Sequence, residues 1–245
     1  MKVPDLSQKA LDFLVKYLRL EVHGLEHIPT SGRMICVANH SGFAGLDAII
    51  LANEIKKVRD TAPQILAHKL WFKSDGLEPL RKHFGLIRAD FNATLMSLQR
   101  DEALILFPEG EGGNFKPTRR RYRLQDFRGG FARAALITGA PIVPCVIVGA
   151  EESNINLGRI RIFNKIIGTD IPLPLNLIPL PIKWSIKFLP PRHLEGMETE
   201  ALDNARIDRE SLKMRHHLQR ALVDELRRRK SFHLGKVPLH DDDVP

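Results

Sequence analysis

The chain reads as a single α/β domain: a mainly parallel or mixed central sheet flanked by helices, with an N-terminal amphipathic helix and a long C-terminal helix. Three observations predict this. Apolar runs of strand length, at residues 34–38, 103–107 and 141–149, recur between stretches of helical periodicity, the order that builds a sheet covered by helices. The last of these runs is β-branched and uninterrupted by polar residues, as a strand buried on both sides requires. Finally, 245 residues with 43% apolar content suffice for one sizeable core, and no repeat or linker composition divides them.

Residues 6–20 place Leu6, Ala10, Phe13, Leu14, Tyr17 and Leu18 on one helical stripe, with Lys9, Asp12, Lys16 and Arg19 elsewhere. Such a helix either covers its own core or lies on a membrane, and core cover is the commoner use. A short strand and a Pro-Thr-Ser-Gly turn fill 21–32. The run 34–38 then delivers His40 into a loop of turn formers, Asn39, Ser41, Gly42 and Gly45, before Asp47 opens a helix over 48–58. Strand-to-helix junctions are where α/β folds place their chemistry, so His40 is a candidate base and Asp47 its orienting carboxylate. A histidine that merely lines or caps the loop is the plain alternative.

Further strands are expected at 64–67, 84–89 and 103–107, and helical segments at 68–72 and 92–100, where Ala93, Met96 and Leu98 can face inward. Pro108 stops the 103–107 run, and 108–128 changes composition: Glu109-Gly110-Glu111-Gly112-Gly113 is followed by Arg119-Arg120-Arg121-Tyr122-Arg123, the mark of an exposed functional loop. A small-residue helix spans 130–139. Residues 166–191 are apolar but broken by six prolines, so they form core-covering loop and strand, or an apolar surface beside Trp184. A helix over 201–230 sets Ile207, Met214, Leu218, Ala221, Leu222 and Leu226 on one face and ends in Arg227-Arg228-Arg229-Lys230, a run suited to the helix C-terminus or to an anionic surface. The organisation is therefore an N-terminal helix at 1–20, a core at 21–198, a packed C-terminal helix at 199–230 and an acidic mobile tail at 231–245.

Composition narrows the function. A net charge of +8 calls for an acidic partner: nucleic acid, an anionic lipid surface or a phosphorylated substrate. Cys36 and Cys145 each sit in an apolar run and read as buried thiols in a reducing compartment. No run approaches the ~18 apolar residues of a transmembrane helix, and the N-terminus lacks signal-peptide features, so a cytoplasmic protein peripheral to the inner face of a membrane is expected. Nucleotide P-loop, dinucleotide, serine-hydrolase and paired metal motifs are missing. His216 and His217 point about 100° apart on a helix and make a poor chelate, so no metal site is assigned.

Four stretches in order, Asn39-His40 with Asp47, Phe84-Gly85-Leu86-Ile87-Arg88-Ala89-Asp90, Phe107-Pro108-Glu109-Gly110 and Ala140-Pro141-Ile142-Val143-Pro144, resemble the four motif blocks of the glycerolipid acyltransferase superfamily. Its members include lysophosphatidic acid and glycerol-3-phosphate acyltransferases, and the resemblance covers roughly residues 20 to 190. Two departures stand out. Six residues separate His40 from Asp47 where the family pattern is His-x4-Asp, and Glu111-Gly112 follow the third block where Thr-Arg is usual. A weaker match, Ile178-Pro179-Leu180-Pro181 with Lys183-Trp184, is similar to the branch holding mono- and diacylglycerol acyltransferases.

The resemblance implies transfer of a fatty acyl group from an acyl thioester, carried on CoA or acyl carrier protein as co-substrate, to a lysophospholipid or glycerol-phosphate hydroxyl, without a cofactor. It implies His40 as general base with Asp47 fixing its tautomer, and Arg88, Glu109, Gly110, Arg119 and Arg121 as substrate-binding residues, guanidinium being suited to phosphate. Loop amides near Gly42 or Gly110 are candidate oxyanion donors. Neutral mono- or diacylglycerol acceptors form the second reading. A non-catalytic basic protein binding anionic membrane or nucleic acid forms a third, with nucleic acid not expected because the basic runs lack interleaved aromatics apart from Tyr122.

Overall fold

Alternation along the central strands sorts their side chains into two cores. The structure, a computed structural model, describes residues 6–40, 45–114, 116–160 and 171–229. Strand β2 (Met34–Ala38) lies mid-sheet with every residue buried. Seven strands stand in the order β1 (Glu21–His23), β9 (Ser185–Phe188), β6 (Ile142–Val148), β2, β5 (Ala103–Leu106), β3 (Gln64–Ala67) and β4 (Leu86–Arg88). The five from β6 to β4 are mutually parallel, β9 runs antiparallel to β6, and β1 pairs with β9 in parallel. The sheet is thus mixed and mainly parallel, and β2, β5 and β6 are buried on both faces because helices cover both.

On one face Ile35, Val37, Leu104, Ile142 and Val146 meet Leu98 of α4 (Phe91–Gln99), Phe131 and Ala135 of α6 (Gly130–Thr138), and Met214, Leu218 and Leu222 of α8 (Asn204–Arg228). On the other, Met34, Cys36, Ile105, Val143 and Cys145 meet Ile50, Leu51 and Ile55 of α2 (Leu46–Lys56), with Leu11 and Leu14 of α1 (Leu6–Tyr17) packed beside them. Helix α8 starts where Asp203 caps it, its carboxylate accepting from the Ala205 and Arg206 amides at 2.9 and 3.2 Å. All six apolar residues expected on its inner face are buried. Outside the main sheet, β7 (Asn156–Ile160) and β8 (Ile171–Pro174) form an antiparallel ribbon. Short helices α3 (Glu78–Phe84), α5 (Glu111–Asn114) and α7 (Ala150–Ser153) complete the described α-helices, with 3-10 turns between elements.

Several expectations change. Met96 is 57% exposed and α4 instead turns Thr94, Ser97 and Leu98 inward. Positions 96 and 98 lie about 200° apart on a helix, so one narrow face cannot hold both. Phe13 is 68% exposed, and the stripe of α1 that meets the core runs through Leu11, Leu14 and Leu18. The basic run at the end of α8, of which Arg227 to Arg229 are described, is not a free patch. Arg229 is buried in a two-pronged ion pair with Glu152 (3.1 and 3.2 Å), and Arg228 pairs with Glu225 and Glu21. Both readings of the proline-rich segment hold in part: Trp184 is fully buried, whereas Leu173, Leu175, Leu177 and Ile178 are exposed. The tail at 231–245 lies outside the described residues.

Candidate active site

The parallel strands point their carboxyl ends to one side, and the residues just beyond them surround a cavity of about 850 Å³. His40 follows β2, His68 follows β3, Arg88 ends β4, Phe107 follows β5 and Glu151 follows β6. This is where open α/β sheets hold ligands, because loops diverge there and leave a crevice.

The strand delivers His40 through Asn39, whose side chain supplies one more rung of the ladder. Its Oδ1 accepts the Ile147 N–H at 2.7 Å and its Nδ2 donates to the Ile147 carbonyl at 2.9 Å. The His40 ring stacks on Phe107 with centroids 4.3 Å apart. Its Nδ1–H donates to Asp47 Oδ2 at 2.7 Å. Asp47 is fully buried in the first turn of α2, and its Oδ1 accepts the Ala48 amide at 2.9 Å. Gly45, at φ +77°, makes the left-handed turn that starts this helix, a conformation L side chains rarely adopt. The two residues are therefore in contact across the long loop, of which 41–44 lie outside the described residues.

With Nδ1 occupied, Nε2 is the ring nitrogen left for a cavity ligand. Burial pulls the imidazole pKa down, but the Asp47 charge and hydrogen bond, helped by Glu109, outweigh it and leave the pKa raised.

Glu109 fixes the same loop from behind. Its Oε1 accepts the His40 backbone N–H at 3.2 Å, its Oε2 accepts the Gln125 N–H at 2.8 Å, and Lys116 Nζ stands 3.7 Å from Oε2. Lys116 also donates to Glu151 at 3.0 Å and to the Arg123 carbonyl at 3.2 Å. Burial works against the Lys116 charge, yet the two carboxylates hold its pKa above the ordinary value. Burial pushes the Glu151 carboxyl up despite Lys116.

From here the network continues through Tyr122. Its N–H donates to Glu151 at 2.8 Å, its hydroxyl donates to Glu152 at 2.7 Å, and the hydroxyl accepts the Gly149 N–H at 2.9 Å. Gln219 of α8 takes the Leu124 N–H and donates to the Tyr122 carbonyl, both at 2.9 Å. These anchors correct the expectation of an exposed loop at 108–128: Glu109, Lys116, Tyr122 and Leu124 are buried.

Of the residues singled out in the sequence, His40, Arg88 and Gly110 line the cavity. Glu109 lies behind it, with both oxygens engaged by the protein. Arg119 lies in the short turn at 118–120 and Arg121 just after it, beside the inward-docked Tyr122, and neither lines the cavity. The Gly110 amide donates to the Phe107 carbonyl at 3.0 Å, which takes it out of contention as an oxyanion donor; Gly42 lies outside the described residues.

Among the lining residues that sequence reasoning missed, three bear on the chemistry. Arg128 lays its guanidinium over Gly110, whose φ of +55° is a conformation that L side chains rarely adopt. His68 Nε2 meets Glu111 Oε1 at 2.7 Å, joining two sides of the cavity. Lys116 is the third. Arg128 stands five residues after the arginine run at 119–123, and local charge cannot tell which of these arginines points inward; the other two are defined by partners distant in sequence. Among the described residues no cluster of three or more His, Cys, Asp or Glu could hold a metal ion. Cys36 and Cys145 are buried free thiols.

Comparison with known proteins fits this geometry. The family model described as Acyltransferase matches residues 19–148. An uncharacterised protein of Mycobacterium tuberculosis is 36% identical over 191 residues, covering 72% of this chain and 52% of that protein. One of Mycobacterium leprae is 33% identical over 239 residues, covering 91% and 64%. The chain thus spans between about half and two thirds of the length of these curated relatives. In fold, it is similar to the crystal structure of the 1-acyl-sn-glycerophosphate (LPA) acyltransferase PlsC from Thermotoga maritima: TM-score 0.58, 20% identity, 94% of this chain and 86% of that one.

Proposed function

We propose, because the chain belongs to the acyltransferase family, that it moves a fatty acyl group from an acyl thioester directly to the hydroxyl of a lysophospholipid or glycerol-phosphate acceptor. The observation that carries this reading is the His40–Asp47 contact at 2.7 Å on the wall of a cavity large enough for a lipid headgroup and thioester.

The acceptor hydroxyl gives its proton to His40 Nε2 as its oxygen attacks the thioester carbonyl carbon. Asp47 holds the proton on Nδ1 and stabilises the imidazolium, staying ionised itself. Collapse of the tetrahedral oxyanion breaks the carbon–sulfur bond, and the departing thiolate recovers the proton from Nε2. The products are an ester and a free thiol, with no acyl-enzyme. Glu109 acts as a positioning residue through the His40 amide. Arg88 and Arg128 are the cavity cations we assign to phosphate on donor or acceptor, in place of Arg119 and Arg121.

A neutral mono- or diacylglycerol acceptor is a second reading favoured by Glu111, whose carboxylate lies in the cavity wall where a phosphate would be repelled. Product analysis after incubation with mixed thioester donors, on CoA and on acyl carrier protein, and with competing lyso-phospholipid and acylglycerol acceptors tests both. Ester formation that is lost in His40→Ala is expected; undiminished transfer by that variant overturns the mechanism. A lipid acceptor also places the protein at a membrane, which we assign to a cytoplasmic surface. Among the described residues no helix is long and apolar enough to cross one.

A further inference from the structure

We infer that the β7–β8 ribbon and the loop after it dock the protein on an anionic lipid surface and set the cavity mouth against it. This rests on the lipid-acceptor reading above. Of eleven large hydrophobic side chains exposed among the described residues, five belong to this one feature: Leu157, Leu173, Leu175, Leu177 and Ile178, between 43% and 77% exposed. Scattered exposed leucines need no explanation, but a concentration on one ribbon does.

The exposure is not slack. Asn176 pins the turn inward, its Oδ1 accepting the Ile155 N–H at 2.9 Å and its Nδ2 donating to the Ser153 carbonyl at 2.9 Å. The Leu175 amide donates to the Ile155 carbonyl and the Leu180 amide to the Ser153 carbonyl, each at 2.8 Å. Several backbone polar groups of the turn are held by the protein while Leu175 and Leu177, on either side of Asn176, stay exposed, an arrangement suited to a surface that meets an apolar phase.

Two relationships choose a bilayer as the occupant. Asn156 and Pro174, paired across the ribbon, line the cavity that holds His40, so the leucines sit on its rim. A second copy of the chain seated on the ribbon would crowd that mouth, whereas a bilayer would supply it. Charge points the same way. Residues 171–182 carry no charged side chain, and α1 joins them through Tyr17, whose hydroxyl donates to the Pro179 carbonyl at 2.9 Å, and Arg19, which donates to the Pro181 carbonyl at 2.6 Å. Around that joint α1 exposes Phe13 and Lys16 and the turn after it exposes Arg19, an aromatic with nearby cations, as interfacial helices do.

The test uses the full chain, vesicles of phosphatidylcholine with phosphatidylglycerol, and the double variant Leu177→Ala/Ile178→Ala. Binding is read by co-sedimentation without any acyl donor. The variant should lose at least about tenfold in vesicle affinity, from the apolar groups it no longer inserts. Its thermal midpoint should be unchanged, since both side chains are exposed. Transfer to a dissolved short-chain acceptor should stay at the wild-type rate, while transfer to the same acceptor class in vesicles falls about tenfold, in line with the lost affinity.

Equal vesicle binding by variant and wild type overturns the inference, as does a wild type that binds no vesicles. Self-association of the wild type that the same substitutions abolish overturns it too, by giving the surface to a second copy. Vesicle binding that depends on these residues in a protein that transfers no acyl group to any acceptor keeps the docking surface and removes the proposed reaction.

Discussion

Glu109 accepts the His40 backbone N–H through one carboxylate oxygen and the Gln125 N–H through the other, so one buried side chain ties the histidine loop to the segment that carries the loop's own anchor, Tyr122. Glu109→Gln keeps the shape but sets an amide NH₂ against one of those donors and removes the charge facing Lys116. About a tenfold fall in kcat with little change in KM is expected, the signature of a misplaced base. Steady-state kinetics separate this from lost binding, in which KM alone would rise.

Removing the proposed base, in His40→Ala, should cost about 100- to 10,000-fold in rate. The raised pKa gives the pH profile its sign. Transfer needs neutral imidazole, so the rate should climb with pH through a limb above the ordinary imidazole range. Asp47→Asn removes the main effect opposing burial, so its limb should move to lower pH while its plateau falls. A limb that stays in place would detach Asp47 from His40. Because the folded pKa is raised, the pair stabilises the fold fully below the unfolded pKa and loses that contribution as pH rises through the folded one.

Lys116→Met leaves Glu109 and Glu151 facing each other without their cation. Breaking a buried pair of this kind costs about 3–5 kcal/mol, which denaturant titration at neutral pH will show. Burial already raises the Glu151 pKa, and without Lys116 it rises further, so mild acid should protonate the carboxyl and return part of the lost stability. Wild type should gain less, because Lys116 holds its Glu151 carboxyl lower than it stands in the variant.

Arg128→Ala should raise KM about tenfold for substrates whose phosphate it meets, with kcat less affected. Arg119→Ala, outside the cavity lining, should leave KM unchanged. Comparing phosphate-bearing and neutral acceptors in the two variants checks the assignment.

The parts legible in the sequence were those written locally. Met34–Ala38 is a strand because five apolar residues in a row leave little choice, and His40 and Asp47 stand out because turn formers and a helix start bracket them. What stayed hidden depends on partners far along the chain. Lys116 finds Glu151 thirty-five residues on, and Asn39 finds Ile147 108 residues on, so neither has a nearby signal. The inward turn of Tyr122 needs positive φ at a non-glycine residue, which no propensity foretells. Met96 and Phe13 show that apolar character alone does not set the phase of a helix face.

The anchoring of Tyr122 also says how much chain the site needs. The family-matched segment ends at Val148, yet the carboxylates that receive Tyr122 and Lys116 are Glu151 and Glu152, the Tyr122 backbone is held by Gln219 in α8, and Glu152 is paired with Arg229 just after it. A fragment cut after the matched segment would strand a buried lysine and a buried tyrosine beneath the loop that carries Glu109. A unit that keeps these anchors of the His40 loop therefore runs to Arg229, and the C-terminal helix is as much a part of the site's frame as the strands that carry its motifs.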